Sequence, residues 1–173
     1  MAKINGVQIK SLKSFSGHDG ELLYQGNVYL NGKLLGFWSQ NYSGGVIDDF
    51  GFDESLLDNA VNKMKSIQTN VCSKEYYNAT SFMCDLITLI EYEKDYKKEV
   101  KRHGGKDVVV VFVTDNYNCF YFTILDSNVQ IMTNNDIFAT YASTFEGISK
   151  QLFKNEEEKR YVFRSLRDFN ITL

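Results

Sequence analysis

Four carboxylates fall within seven residues at Asp48, Asp49, Asp53 and Glu54, enough oxygen to attract a hard divalent cation. Their spacing is not that of an EF-hand, and no glycine sits at the sharp-turn position of such a loop. Three readings fit the cluster: a solvated loop that ends in a helix cap, a cation site, or an acidic face turned toward a basic partner. Aromatic side chains share the segment, since Trp38, Tyr42, Phe50 and Phe52 lie within fifteen residues around three glycines. Large aromatic anchors rimmed by charge are what protein-binding hot spots are made of. Trp38, Tyr42, Asp48, Asp49, Phe50, Asp53 and Glu54 are therefore the candidate partner-binding set. A tryptophan packed in the core, its indole N–H held by an oxygen, is the competing expectation for Trp38.

Catalytic signatures are sparse. The two histidines, His18 in "SGHDG" and His103 near "RHGG", stand far apart in sequence; the first reads as a solvated turn residue and the second as a cation suited to a helix C-terminus. Cys72, Cys84 and Cys119 form no CxxC pair and read as buried free thiols rather than nucleophiles or zinc ligands. Gly44–Gly45 and Gly104–Gly105 are lone pairs, and GxGxxG, GxxxxGK[ST] and GxSxG are all missing, so no phosphate cradle or nucleophile elbow is expected. No cofactor or resident metal is expected, and catalytic residues are expected to be absent.

Basic side chains make one group. Lys94, Lys97, Lys98, Lys101 and Arg102 recur at three- and four-residue steps, with Lys106 just beyond. On a helix they would share a broad face able to neutralise phosphates without regard to sequence. Asp95 and Glu99 interleave with them and Glu91 and Glu93 precede them, so a solvated face laced with i,i+4 ion pairs explains the pattern as well.

These residues need elements to carry them. Strands are expected over 7–15, 22–30 and 33–39, the last two joined by Asn31 and Gly32, whose positive φ angles suit a type I′ turn. Asn5 and Gly6 suggest a smaller turn. Asp53 fits as the N-cap of a helix over 54–68, with Leu57, Ala60, Val61 and Met64 on its buried stripe. A longer helix is expected from near Ser81, with Phe82, Leu86, Leu89, Ile90 and Glu93 marking its early faces, to the Gly104–Gly105 stop. "DVVVVFVT" reads as a strand buried on both faces. A second meander follows through turns at Asp115–Asn116 and Ser127–Asn128 into strands over 117–125 and 129–132. Two short helices close the chain, opened by Ser143-x-x-Glu146 and Asn155-x-x-Glu158; Val162, Leu166 and Phe169 share a face of the second. The expected fold class is α+β: two antiparallel β-meanders, each followed by a pair of helices. A single domain over 1–173 is expected, with two lobes, 1–106 and 107–173, as the alternative.

Composition bounds the setting. Aromatic content is 14%, proline is absent from 173 residues, and average usage would supply roughly eight. The formal charge of −3 is uneven: residues 1–60 carry four lysines against seven carboxylates, 61–106 nine cations against six, and 107–173 six against nine. Neither a basic nucleic-acid binder overall nor a heavily charged DNA mimic has that profile. The Met1 end has no apolar core of signal-peptide length and no run of eighteen apolar residues occurs, so a cytoplasmic location is expected.

"KINGVQIKSLKSF", "YQGNVYLNGKLLGFWSQ" and the "GG…DDFGFDE" loop, roughly the first sixty residues, resemble small accessory proteins of phages and conjugative elements from AT-rich bacteria. The resemblance carries no catalytic residue. It implies a non-enzymatic protein that binds and disables a host defence protein, such as a CRISPR nuclease, in the manner of anti-CRISPR inhibitors. Occlusion of a nucleic-acid channel is the expected mechanism, with residues 48–54 and 156–158 as the acidic surfaces. An accessory nucleic-acid-binding protein using the lysine face and a small enzyme with a dispersed active site are the alternatives.

Overall fold

A computed structural model describes residues 1–42, 46–68, 71–105, 107–114, 119–152 and 159–173. The chain forms an α+β fold in two compact units, the first made of Met1–Glu91 with Phe169–Leu173 and the second of Tyr92–Asp168.

The first unit is built on a six-stranded sheet. Strands β1 (Lys3–Ile4), β2 (Val7–Ser16), β3 (Leu22–Leu30), β4 (Lys33–Tyr42) and β5 (Val46–Phe50) follow as antiparallel neighbours, and β9 (Asn170–Ile171) adds to β1 in parallel. Both expected turns are present: Asn5 and Gly6 have φ of 48° and 84°, Asn31 and Gly32 of 50° and 83°. Each glycine sits where the chain must reverse in a left-handed conformation that costs it little. Ser11, with φ of 55°, lies in a bulge where the β2–β3 register shifts.

One sheet face is dry. Val7, Ile9, Val28 and Trp38 are buried on it, and Leu57, Ala60, Val61, Met64, Phe82, Met83 and Leu86 are buried on helices of the same unit. Asp53 caps the first of these as expected, its carboxylate accepting the Ser55 N–H. A 3-10 turn (Glu54–Leu57) leads into α1 (Asp58–Ser66), and a short α2 (Val71–Tyr76) precedes α3 (Ala79–Arg102). Asn78 caps α3 by accepting from the Ser81 N–H, and Gly104 and Gly105, with φ of 71° and 76°, end it. The division between the two units falls inside α3.

The second unit centres on β6 (Val109–Thr114), paired antiparallel with β7 (Cys119–Ile124) and β8 (Lys159–Phe163). As "DVVVVFVT" led one to expect, β6 is covered on both sides. Its Phe112 ring stacks on Tyr92 of α3 at 4.0 Å. Val109, Val111 and Val113 join a core with Val129, Ile137 and Phe145 from the other side, carried by a 3-10 turn (Ser127–Gln130), α4 (Asn134–Thr140) and α5 (Ala142–Leu152).

Several expectations fail for identifiable reasons. Residues 46–50, read as loop, form β5, whose hydrogen bonds to β4 outweigh its two aspartates. The turn at Ser127–Asn128 is present, but residues 129–132, read as a strand, continue it as the 3-10 turn Ser127–Gln130 and a bend, because Asp126 caps the turn by accepting the Asn128 N–H. The expected terminal helix is instead β8, a turn and β9; Asp168 closes the turn by accepting from the N–H groups of Arg164 and Ser165. Phe169 is fully buried in the first unit, so the i, i+4, i+7 pattern with Val162 and Leu166 was accidental. A capping box that was not expected joins Thr133 and Asp136 at the start of α4, and Ser143 lies within the first turn of α5. The pairs Gly44–Gly45 and Asp115–Asn116, Lys106 and the 155–158 capping box lie wholly or partly outside the described residues. Among the described residues no helix is long and apolar enough to cross a membrane.

Candidate functional site

The acidic segment separates into residues that hold the fold and residues that face water. Strand alternation makes the first cut. Trp38 pairs with Phe50 and Gln40 with Asp48 across β4 and β5, which puts all four on one face. Trp38 is 0% exposed, and its Nε1–H donates to Asp48 Oδ2 at 3.0 Å. Trp38 is thus a core residue, and its expected role as a partner anchor is corrected: no part of the ring is open to contact. Asp48 Oδ1 is buried and has no hydrogen-bond partner among the described residues. That desolvation holds the Asp48 pKa above the ordinary carboxylate range, although the bonds from Trp38 and the Thr80 hydroxyl favour the charged form. Asp48 is therefore half-buried and structural, as is Phe50, whose ring meets Phe52 edge-on at 5.5 Å. The Tyr42 side chain lies outside the described residues, as do residues 156–158.

Asp49, Asp53 and Glu54 are exposed. Asp49 alternates to the opposite sheet face. Asp53 and Glu54 stand instead on the rim of an open cleft of about 560 Å³ lined also by Asp58, Val61, Tyr77 and Thr80. Asp58, Tyr77 and Thr80 were missed in the sequence. Asp58 was legible as a further carboxylate one turn after Glu54, whereas Tyr77 and Thr80 carry no local signal because tertiary folding alone brings them there. The Tyr77 hydroxyl donates to Asp85, and burial, ahead of that bond, pushes its pKa up. The cleft thus offers three exposed carboxylates over a neutral phenol and a short apolar wall. Among the described residues no group of three or more His, Cys, Asp or Glu side chains is placed to hold a metal.

Cys84 and Cys119 are exposed, not buried as expected; the Cys72 side chain lies outside the described residues. Desolvation, then the charges of Asp48 and Asp85, push the Cys84 thiol up to about 11, the reverse of what a nucleophile needs. Burial likewise raises Cys119, which donates to the Tyr92 hydroxyl at 3.6 Å.

Three cations of the lysine face are paired with carboxylates. Lys97 pairs with Glu93 at 2.9 Å, Lys98 with Asp95 at 2.7 Å and Arg102 with Glu99 at 2.7 Å. Glu99 is buried and also accepts from Thr123 Oγ1 at 2.9 Å, with His103 Nε2 at 3.5 Å. Lys101 borders an apolar groove lined by Tyr96, Val100 and Leu166, and Lys94 also has an interaction partner. His18 sits exposed in its turn.

No protein-family model, curated protein or solved structure matches the chain.

Proposed function

We propose that this is a non-enzymatic binding protein whose acidic cleft rim receives a basic surface of a partner protein. The observation that carries the reading is that Asp53, Glu54 and Asp58 line one open cleft together with the apolar Val61. Exposed like charges steer a partner of opposite sign and set its register, while an adjacent apolar side chain supplies contact area. The strongest shifts at neighbouring thiols and phenols run upward, toward the inert form, which fits binding better than covalent chemistry. The resemblance to accessory proteins of mobile elements gives the partner class: a host defence protein, of which a CRISPR nuclease is the type, whose basic nucleic-acid channel would be blocked by the rim.

The test is retention of tagged protein's partners from nuclease-treated bacterial lysate, eluted by rising salt. A basic protein released by moderate salt is expected, because exposed charge pairs are screened within a Debye length of about 8 Å at physiological ionic strength. An absence of any retained basic protein overturns the reading. The carboxylate-paired lysine face makes the nucleic-acid alternative on α3 the weaker one.

A further inference from the structure

The outward face of the six-stranded sheet has a character opposite to that of the cleft. With Val28 and Trp38 turned inward, Asn27 and Phe37 alternate to the other face, which stays open around them although Leu23 further along β3 is buried. Lys10, Asn27 and Phe37 stand directly opposite one another across these strands, and the next row along runs Lys13, Gln25, Ser39 and Asp49. Phe37 is 49% exposed. Lys10 Nζ lies 4.2 Å from the centroid of the Tyr29 ring, on the same face, so that ring is already capped by a cation and Phe37 offers the open one. Asp49 closes the Lys13 row at the β5 edge, three strands away from the lysine.

We propose that this face binds single-stranded nucleic acid, with a base stacked on Phe37 and Lys10 and Lys13 neutralising the backbone. Every base has a π-face, so an exposed ring takes any sequence, and flanking lysines supply the charge that phosphates need. Asn27 and Gln25 add amides that both donate and accept, able to meet a base edge without demanding one identity. An open sheet face suits splayed bases, whereas a regular duplex hides its base faces. The inference stands apart from the protein-binding reading, since it uses neither the cleft nor its carboxylates.

The test is fluorescence polarisation of the full chain with a labelled oligothymidine of about fifteen nucleotides, a length matched to one small binding face, beside a duplex of equal length. Binding to the single strand in preference to the duplex is expected. Phe37→Ala should weaken it by about 5- to 100-fold, and Phe37→Trp should keep it, because stacking needs only a ring. Lys10→Gln and Lys13→Gln should each lower the salt slope by about 0.7. These side chains face solvent, and a thermal melt confirms that each variant folds. The proposal is overturned by no single-strand binding at about 50 mM salt, where phosphate contacts are strong. It is overturned equally by binding indifferent to Phe37→Ala, by loss that follows Lys97→Gln and Lys98→Gln on α3 instead, or by a Phe37→Ala defect confined to a protein partner.

Discussion

Trp38 and Asp48, on neighbouring strands, share a hydrogen bond of 3.0 Å beneath the sheet. The pair converts what looks in sequence like an aromatic–acidic surface motif into part of the hydrophobic core. Trp38→Ala is expected to destabilise the fold by about 3–5 kcal/mol, through lost burial and an unfilled cavity. Trp38→Phe fills most of the space but removes the indole donor to Asp48 Oδ2, and should fall between that variant and the parent. Urea unfolding of the three proteins measures the order; equal stability of Trp38→Ala and parent would contradict the buried placement.

Stability should also report the Asp48 proton. A carboxyl with a higher pKa in the folded than the unfolded chain binds its proton more tightly when folded. Its contribution is therefore most favourable below the ordinary carboxylate range and declines as pH rises through the raised value. Asp48→Asn removes the titration while keeping an oxygen for the indole N–H. The variant's unfolding free energy, followed from about pH 4 to about pH 7, should lose this declining component. An identical pH profile in both proteins would show that Asp48 titrates normally.

Cys84 gives a chemical readout of the same neighbourhood. Although exposed, a thiol at about 11 is almost wholly protonated near neutrality. Alkylation by iodoacetamide should be slow at neutral pH and accelerate steeply toward the thiol's own pKa. Asp48→Asn should speed it, because one of the two charges opposing the thiolate is gone. Fast alkylation of Cys84 at neutral pH would mean that burial and the flanking carboxylates are not acting on it.

Gly36 marks a close approach that the sequence did not announce. A Cβ there would lie 2.8 Å from the Gly51 carbonyl oxygen and 3.0 Å from Phe52 Cδ1. Gly36→Ala should force β4 away from the Phe52 turn and cost on the order of 1–3 kcal/mol. Thermal unfolding checks this, with Gly32→Ala as a contrast strained by its φ of 83° rather than by contact.

Local physics made much of the fold legible. The Asn5–Gly6 and Asn31–Gly32 turns, the Asp53 cap, the buried stripe of α1 and the glycine stop of α3 are all written within a few residues of where they act. What stayed hidden depends on partners distant in sequence. Val46–Phe50 becomes a strand only because β4 offers it an edge, and Asn170–Ile171 because β1 does. The site was legible as a composition but not as a geometry. Strand alternation sends Asp48 inward and Asp49 outward, and sequence proximity to Trp38 said nothing of which side would be wet. Asp58 joins Asp53 and Glu54 through the fold of the turn into α1, while Tyr77 and Thr80 arrive from the far side of α2.

The most direct test of the binding role compares the parent protein with an Asp53→Asn, Glu54→Gln, Asp58→Asn variant as bait in nuclease-treated lysate, with captured proteins quantified by mass spectrometry. These side chains are exposed, so the variant should fold; Asp53→Asn keeps a capping oxygen. The expected result is a basic protein captured by the parent and lost, or weakened at least several-fold, with the variant. Equal capture by both proteins would contradict a cleft rim that holds its partner by charge.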